Sequence, residues 1–466
     1  MENVPGKTVE VVSNTERSVS RDHFTTNLGV IAATLGSAVG LGNIWKFPSM
    51  TGANGGAAFL VVYLISTLLI GLPVMISEIM LGRHVRADAF TTYEKLSPRR
   101  QPWWLIGASG GLAAFLILAF YTEVAGWVFA YIFKAISGAI LSTDPATNSQ
   151  AFASLISSPW QSLLWQWIVL VVIGLIILMG VSKGIENTTK RLMPVLFVLL
   201  VVLVMRSLTL PGAMQGLDFL FRPDFSALGP AAILAAMGLS FFKLSVGMGT
   251  MTTYGSYFRS DQNIPATTLR VMLADLLVSL LAGMAIFPAV FAFGFQPDAG
   301  PSLLFITIPA VFASLPLGGV FMAIFFLLAA IAATGAMLSL LEVPVAFLVD
   351  RLNWSRRTAT LVTVVLLAAF GSTAALSSSL LADVHLFGMT FFDLFDYVTS
   401  NLLLPVGGLF ILIFTGWVWG PSRFQEALSN QGQIHNYWVI RPLFFIVRYI
   451  APLLVVLVLL KGLNLI

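Results

Sequence analysis

The sequence predicts an all-α membrane protein of eleven transmembrane helices, with the first and the sixth broken near mid-membrane. Three observations predict it. The 466 residues are 58% hydrophobic and only 10% charged, whereas a soluble domain carries about 25% charged residues; mean hydropathy is +0.90. Apolar stretches long enough to cross a bilayer, about 20 residues each, recur from residue 27 onward. Two of these stretches are punctuated by glycine at mid-span, "LGSAVGLGNIWKFP" (35–48) and "LSVGMG" (244–249).

The eleven spans are predicted at 27–50, 57–82, 104–136, 162–181, 187–207, 230–257, 265–294, 318–350, 356–376, 391–418 and 439–463. Residues 1–22 read as a polar N-terminal tail with no cleavable signal peptide, 23–418 as a ten-helix core, and 419–466 as a linker with an accessory eleventh helix. Because hairpins alternate sides, loop charge orients the chain. One side collects Lys7, Arg17, Arg21, Arg83, Arg86, Lys95, Arg99 and Arg100. Lys183, Lys190, Arg191, Arg259, Arg351, Arg356, Arg357 and Arg423 fall on the same side, and Arg206 and Arg222 on the other. Basic loops stay cytoplasmic, so the N-terminus is expected inside and the C-terminus outside. This placement also accounts for the basic pI of 9.3 without nucleic acid.

The two broken spans lie five helices apart, and an odd offset inverts the second copy in the membrane. Discontinuous helices at matching positions of two inverted halves point to a transporter's substrate site. Irregular backbone survives at that depth only where it lines a cavity or binds something. Glycine-mediated helix packing is the competing reading of the same residues.

"GSAVGLGNIWKFP" with "NGGAAF" (54–59), "FFKLSVGMGTMTTYGSY" (241–257) and the Gly-X9-Pro spacing of "GIENTTKRLMP" (184–194) resemble the neurotransmitter:sodium symporter family, in particular its bacterial amino-acid transporters. The resemblance covers about 21–418. It implies the LeuT-like fold of five plus five inverted helices, with eleven spans as a known variant. It also implies multi-pass placement in the inner (cytoplasmic) membrane of a bacterium.

In that family the substrate lies between the two breaks. The resemblance places its carboxylate at the backbone N–H groups of Leu41 and Gly42, a half-helix N-terminus suited to anions, and at the Tyr121 hydroxyl. Its ammonium falls to the carbonyls of Ala38, Phe242 and Ser245, beside Ser37. Ile117, Phe242, Met248 and the 335–340 stretch form the side-chain pocket; all are apolar and bulky, as a neutral apolar amino acid requires. Lys46 with Asp396 matches the outer gate pair, and Arg21 with Asp350, beside Tyr257, the inner one. Phe24 replaces the tryptophan that usually follows the inner arginine, and Gly184 and Pro194 mark a fifth helix able to unwind.

Lys243 departs from the family, which has a sodium-ligating threonine there. Asp275 falls where the family has an asparagine ligand of the same sodium. Two substitutions of opposite charge at one site suggest that the Lys243 ammonium replaces the first sodium, with Asp275 as counter-ion and Asn43 and the Ala38 carbonyl accepting its hydrogen bonds. A charge at the bilayer centre is costly, so such residues pair and matter. Outward snorkelling is the alternative, though Lys243 sits about half a helix from either surface. A second sodium would take the carbonyls of Gly36, Val39 and Ala332 and the Thr334 hydroxyl. An alternative eighth-helix register puts Gly335 and Ala336 at the hydroxyl positions. Leu239 replaces a glutamine of the family's chloride site, although Ser279 and Tyr63 resemble two of its members.

The chain has no cysteine, which excludes disulfides and thiolate metal sites. His23, His84, His385 and His435 show no ligand spacing. Neither a phosphate-binding loop nor a catalytic triad is present, so no enzyme and no organic cofactor are expected. Glu123 and Glu342 are further intramembrane carboxylates, candidates together with Asp275 for proton coupling. The expected function is symport of a neutral apolar L-amino acid, with sodium as coupling ion. A proton-coupled or ion-independent carrier or exchanger, and a non-transporting amino-acid sensor, stay open, and oligomeric state is not legible.

Overall fold

The computed structural model describes residues 22–98, 101–295, 303–463 and 465. These are helical throughout, apart from connecting turns and one isolated bridge between Leu386 and Met389. Nine helices among them are long and apolar enough to cross a membrane. They run Ala57–Val85, Trp104–Ile136, Pro159–Leu178, Val181–Leu208, Ile264–Ala292, Gly318–Leu352, Arg356–Ala375, Phe391–Trp419 and Tyr437–Gly462. The pair Asn27–Ala38 and Gly42–Ala53, bent by 53° at its break, makes a tenth. The remaining expected span, 230–257, is two short helices, Pro230–Lys243 and Thr250–Gly255, neither long enough alone.

The first break follows from backbone chemistry. Thr26 caps the first half, its hydroxyl accepting from Gly29 N–H at 3.0 Å. Val39 then turns extended, and the helix resumes at Gly42 in a new direction. In the sixth span the chain leaves the helix after Lys243 and takes positive φ at Ser245 (52°), Gly247 (80°) and Gly249 (74°). Glycine enters that region without steric cost, whereas serine pays about 1 kcal/mol. The Ser245 hydroxyl offsets this by donating to Ser37 O at 2.8 Å, which ties the sixth-span break to the first.

Burial separates scaffold from periphery. The apolar windows of the third span (Trp104–Ile136) and the eighth (Gly318–Leu352) are 78% and 72% buried, and the two pack against each other. The fifth and eleventh are only 33% buried. Their outward faces expose residues such as Val198, Val201 and Leu453, which suits lipid and would not suit water. The central layer thus carries the polar chemistry, and the outer helices shield it.

Candidate functional site

The two breaks and the third and eighth spans enclose one cavity. It is lined by Ser37, Ala38, Gly40, Gly42, Ile117 and Tyr121 on one side, and by Phe242, Lys243, Ser245, Met248, Ala336 and Leu340 on the other. The cavity is small, about 20 Å³. Eight of the nine expected substrate residues line it directly. The ninth, Leu41, contributes backbone: its N–H donates to the Tyr121 hydroxyl at 2.8 Å. Two groups expected to meet one carboxylate therefore lie side by side. Apart from Lys243, polar groups come only from Ser37, Tyr121, Ser245 and the backbone; the Ser37 hydroxyl donates to Ser339 at 2.8 Å.

Lys243 ends the sixth span's first half, and its side chain does not snorkel. It is fully buried, and its ammonium meets Asp275 Oδ2 at 3.1 Å with neither side chain exposed. It also donates to the Ser279 hydroxyl and lies over the rings of Tyr63 (5.1 Å) and Phe47 (5.2 Å). Charge, hydroxyl and two π faces together replace the water this ammonium would otherwise hold.

Asn43 was expected to accept from Lys243, and it does not. Its Nδ2 donates to Asp275 Oδ1 at 2.6 Å and to Ser279 Oγ at 3.1 Å, while its Oδ1 accepts from Gly40 N–H at 3.1 Å. The reason is acceptor chemistry: an ionised carboxylate accepts only, so Asp275 draws both the ammonium and the amide. The Ala38 carbonyl makes no hydrogen bond to the lysine among the described residues. Ser279 takes that place, one turn beyond Asp275 on the same helix face.

At the second sodium position the eighth-helix register matters. A Cβ added at Gly335 would lie 2.6 Å from Gly36 O, so Gly335, which has no hydroxyl, faces that carbonyl. Thr334 donates its own hydroxyl to Ala330 O at 2.8 Å, leaving its oxygen lone pairs as acceptors. No cluster of three His, Cys, Asp or Glu able to hold a metal exists among the described residues.

Of the residues expected at the gates, Lys46 lies 3.9 Å from Asp396 and over the Phe242 ring at 4.1 Å, with both charged side chains partly exposed. Arg21 lies outside the described residues. Asp350 Oδ2 accepts from Asp88 N–H at 2.8 Å. The Tyr257 hydroxyl donates at 2.6 Å to Glu342. Glu342 is buried and forked by Arg356, whose two nitrogens reach its oxygens at 3.0 and 2.5 Å. Sequence reasoning noted Glu342 without its partner, because Arg356 read as one more basic loop residue. Phe24 packs edge-on against Tyr254 and Tyr257.

A sequence model described as "Sodium:neurotransmitter symporter family" matches residues 21–151 and 156–465. The chain belongs to the sodium:neurotransmitter symporter family. An uncharacterized sodium-dependent transporter of Bacillus subtilis, YhdH, is 40% identical over 442 residues, 94% of this chain and 97% of that one. An uncharacterized sodium-dependent transporter of Haemophilus influenzae is 32% identical over 460 residues, 96% of this chain and 100% of its own. Among solved structures, MhsT in complex with L-phenylalanine superposes with a TM-score of 0.87 at 42% identity, covering 95% of this chain and 100% of that one. The fold is therefore the LeuT-like fold of this transporter family.

Proposed function

We propose that this symporter-family member imports a neutral, apolar L-amino acid by alternating access, with the Lys243 ammonium standing permanently where relatives bind their first sodium. The observation that carries the reading is the fully buried Lys243–Asp275 pair at 3.1 Å beside the cavity. A mobile cation coupled to substrate leaves and returns in each cycle; a cation covalently tethered to the sixth span cannot, so this site adds no ion to the transport stoichiometry.

The substrate reading rests on the cavity lining and on the L-phenylalanine bound by MhsT. The Gly42 and Leu41 N–H groups with Tyr121 would hold the carboxylate, and the carbonyls of Ala38, Phe242 and Ser245 the ammonium. Ile117, Met248 and Leu340 would take the side chain, and the polarizable Met248 thioether adapts to irregular or aromatic shapes. One sodium would remain coupled through the carbonyls of Gly36, Val39 and Ala332, with the Thr334 hydroxyl oxygen reaching it only by turning from Ala330, since Gly335 is the residue that faces Gly36. That is a hard-oxygen set with one hydroxyl, weaker than a set with two. Lys46 with Asp396 would close the outside, and Arg21, Asp350 and Tyr257 the inside, with the N-terminus cytoplasmic.

Uptake of labelled L-phenylalanine into proteoliposomes under a sodium gradient, a proton gradient or neither tests the reading. Sodium-driven uptake with one sodium per substrate supports it. Uptake driven by protons alone rejects sodium coupling and favours a second reading. That reading has its own observation: Glu123 is buried two residues after Tyr121, and its Oε2 makes no hydrogen bond. Binding without flux would identify a sensor. The double change Lys243→Thr with Asp275→Asn is expected to restore a second sodium dependence; an unchanged stoichiometry sinks the tethered-cation idea.

A further inference from the structure

On the face that carries the basic loops, a cavity of about 1000 Å³ opens between the end of the second span, the 95–98 turn and the helix Pro421–Leu428. Its cations are Arg83, Arg86, Lys95 and Arg423. Of its two carboxylates, Asp261 is committed to Arg259, which grips it through two hydrogen bonds at 3.0 and 2.9 Å. Among the described lining residues, Glu426 alone is left to offset four positive charges. We propose that this cavity binds a phosphate-bearing anion, with the headgroup of an anionic phospholipid as the source the surroundings favour.

The wall is built rather than incidental. Arg83 donates to Gln262 O at 2.6 Å, to Asn430 Oδ1 at 2.9 Å and to Ala427 O. It thereby pins the tenth–eleventh linker to the end of the second span. Arg86 and Lys95 make no ion pair among the described residues. Arg423 lies over the Trp419 ring at 5.4 Å, a cation–π contact that restrains its guanidinium. Cations at a helix C-terminus also offset the helix dipole, which explains Arg83 and Arg86. It also accounts for Lys95, in the last turn of the helix Ala89–Leu96, but not for Arg423, which lies at the N-terminal end of Pro421–Leu428.

Depth argues for lipid. Val85 and Trp419 are the last residues of two apolar spans, so the cavity lies at the membrane–water interface. A second cavity of about 360 Å³ shares Leu96, Pro98, Trp419 and Arg423 with the first and is otherwise lined by residues such as Val418 and Pro421. A mixed polar and apolar groove continuing from the basic cavity fits the glycerol backbone next to its headgroup. Basic pockets between helices on this face are recognised lipid-binding chemistry.

The test titrates the purified full-length protein with phosphatidylglycerol, phosphatidylcholine and inorganic pyrophosphate, reading bound ligand by native mass spectrometry. The probe variant combines Arg86→Gln, Lys95→Gln and Arg423→Gln; Arg222→Gln, on the opposite face, is the charge control, and the melting temperature of each checks folding. Retention of phosphatidylglycerol over phosphatidylcholine is expected. Each cation removed should cost roughly fivefold, so the triple variant should lose on the order of 100-fold, with Arg222→Gln unchanged. Pyrophosphate binding lost in the triple variant, without lipid preference, would support the same site with a soluble source. Retention of either ligand by a folded triple variant as tightly as by the native chain overturns the proposal. So does binding of neither ligand to the native chain.

Discussion

Two lysines, Lys46 and Lys243, each face an aspartate, and they are held in opposite ways. Lys243 meets Asp275 at 3.1 Å with no exposure on either side. Lys46 meets Asp396 at 3.9 Å with 29% and 42% of the side chains exposed. The first pair has lost its water and is locked by Asn43, Ser279 and two aromatic rings. The second is partly exposed to solvent and lies over one ring, Phe242. Water access distinguishes the two pairs: the buried one is costly to break, the exposed one cheap.

The comparison is broken most directly by removing one member of the buried pair. Lys243→Ala leaves Asp275 uncompensated, and Asp275→Asn does the same to Lys243. Each should destabilise the protein by about 3–5 kcal/mol, read as a loss of melting temperature in detergent and of expression. If both single variants melt like the native chain, the pair is not structural.

A smaller effect is expected at Glu342, buried but paired with the partly exposed Arg356. Arg356→Gln removes charge-assisted hydrogen bonds worth about 1.5–3 kcal/mol, and leaves Glu342 with the Tyr257 hydroxyl as its remaining hydrogen-bond donor. An intermediate melting shift would rank the three pairs by burial; a shift as large as that of Lys243→Ala would show that burial is not the ranking variable.

Smallest of all is Lys46→Ala, which should change stability by less than about 1 kcal/mol. Its effect belongs in kinetics: faster substrate release to the outside, measured by washout from proteoliposomes. High salt should mimic it, because exposed charges are screened within about 10 Å at 0.1 M. A salt-independent release rate would remove Lys46 from the gate.

Much of this was legible beforehand, for identifiable reasons. Runs such as "LVVYLISTLLIGLPVMISEIM" announce a span because bilayer thickness sets a length. The breaks at 38–42 and 244–249 were visible because glycine clusters mark backbone that cannot stay helical. Lys243 is conspicuous as a charge in apolar surroundings, and the family resemblance, which puts Asp275 at a ligand position of the same site, singles it out from Glu123 and Glu342 as the counter-ion. Less was legible where one chemistry has several outlets. Glu342 had no visible partner because Arg356, 14 residues on, reaches it only after the eighth and ninth spans fold back together.

The sequence by itself determined the spans, the two interruptions and the need for Lys243 to be neutralised inside the membrane, since hydrophobic transfer and desolvation act on any chain that carries these residues. The tertiary structure alone decided where each proton points. Asn43 donates to Asp275 instead of accepting from the lysine, Gly335 rather than a hydroxyl faces Gly36, and Ser279 completes the ammonium's shell. Hydrogen-bond direction depends on rotamers and backbone from segments 30 to 300 residues apart, as in Lys243 with Asp275 and Ser37 with Ser339, and that geometry exists only once the helices have packed.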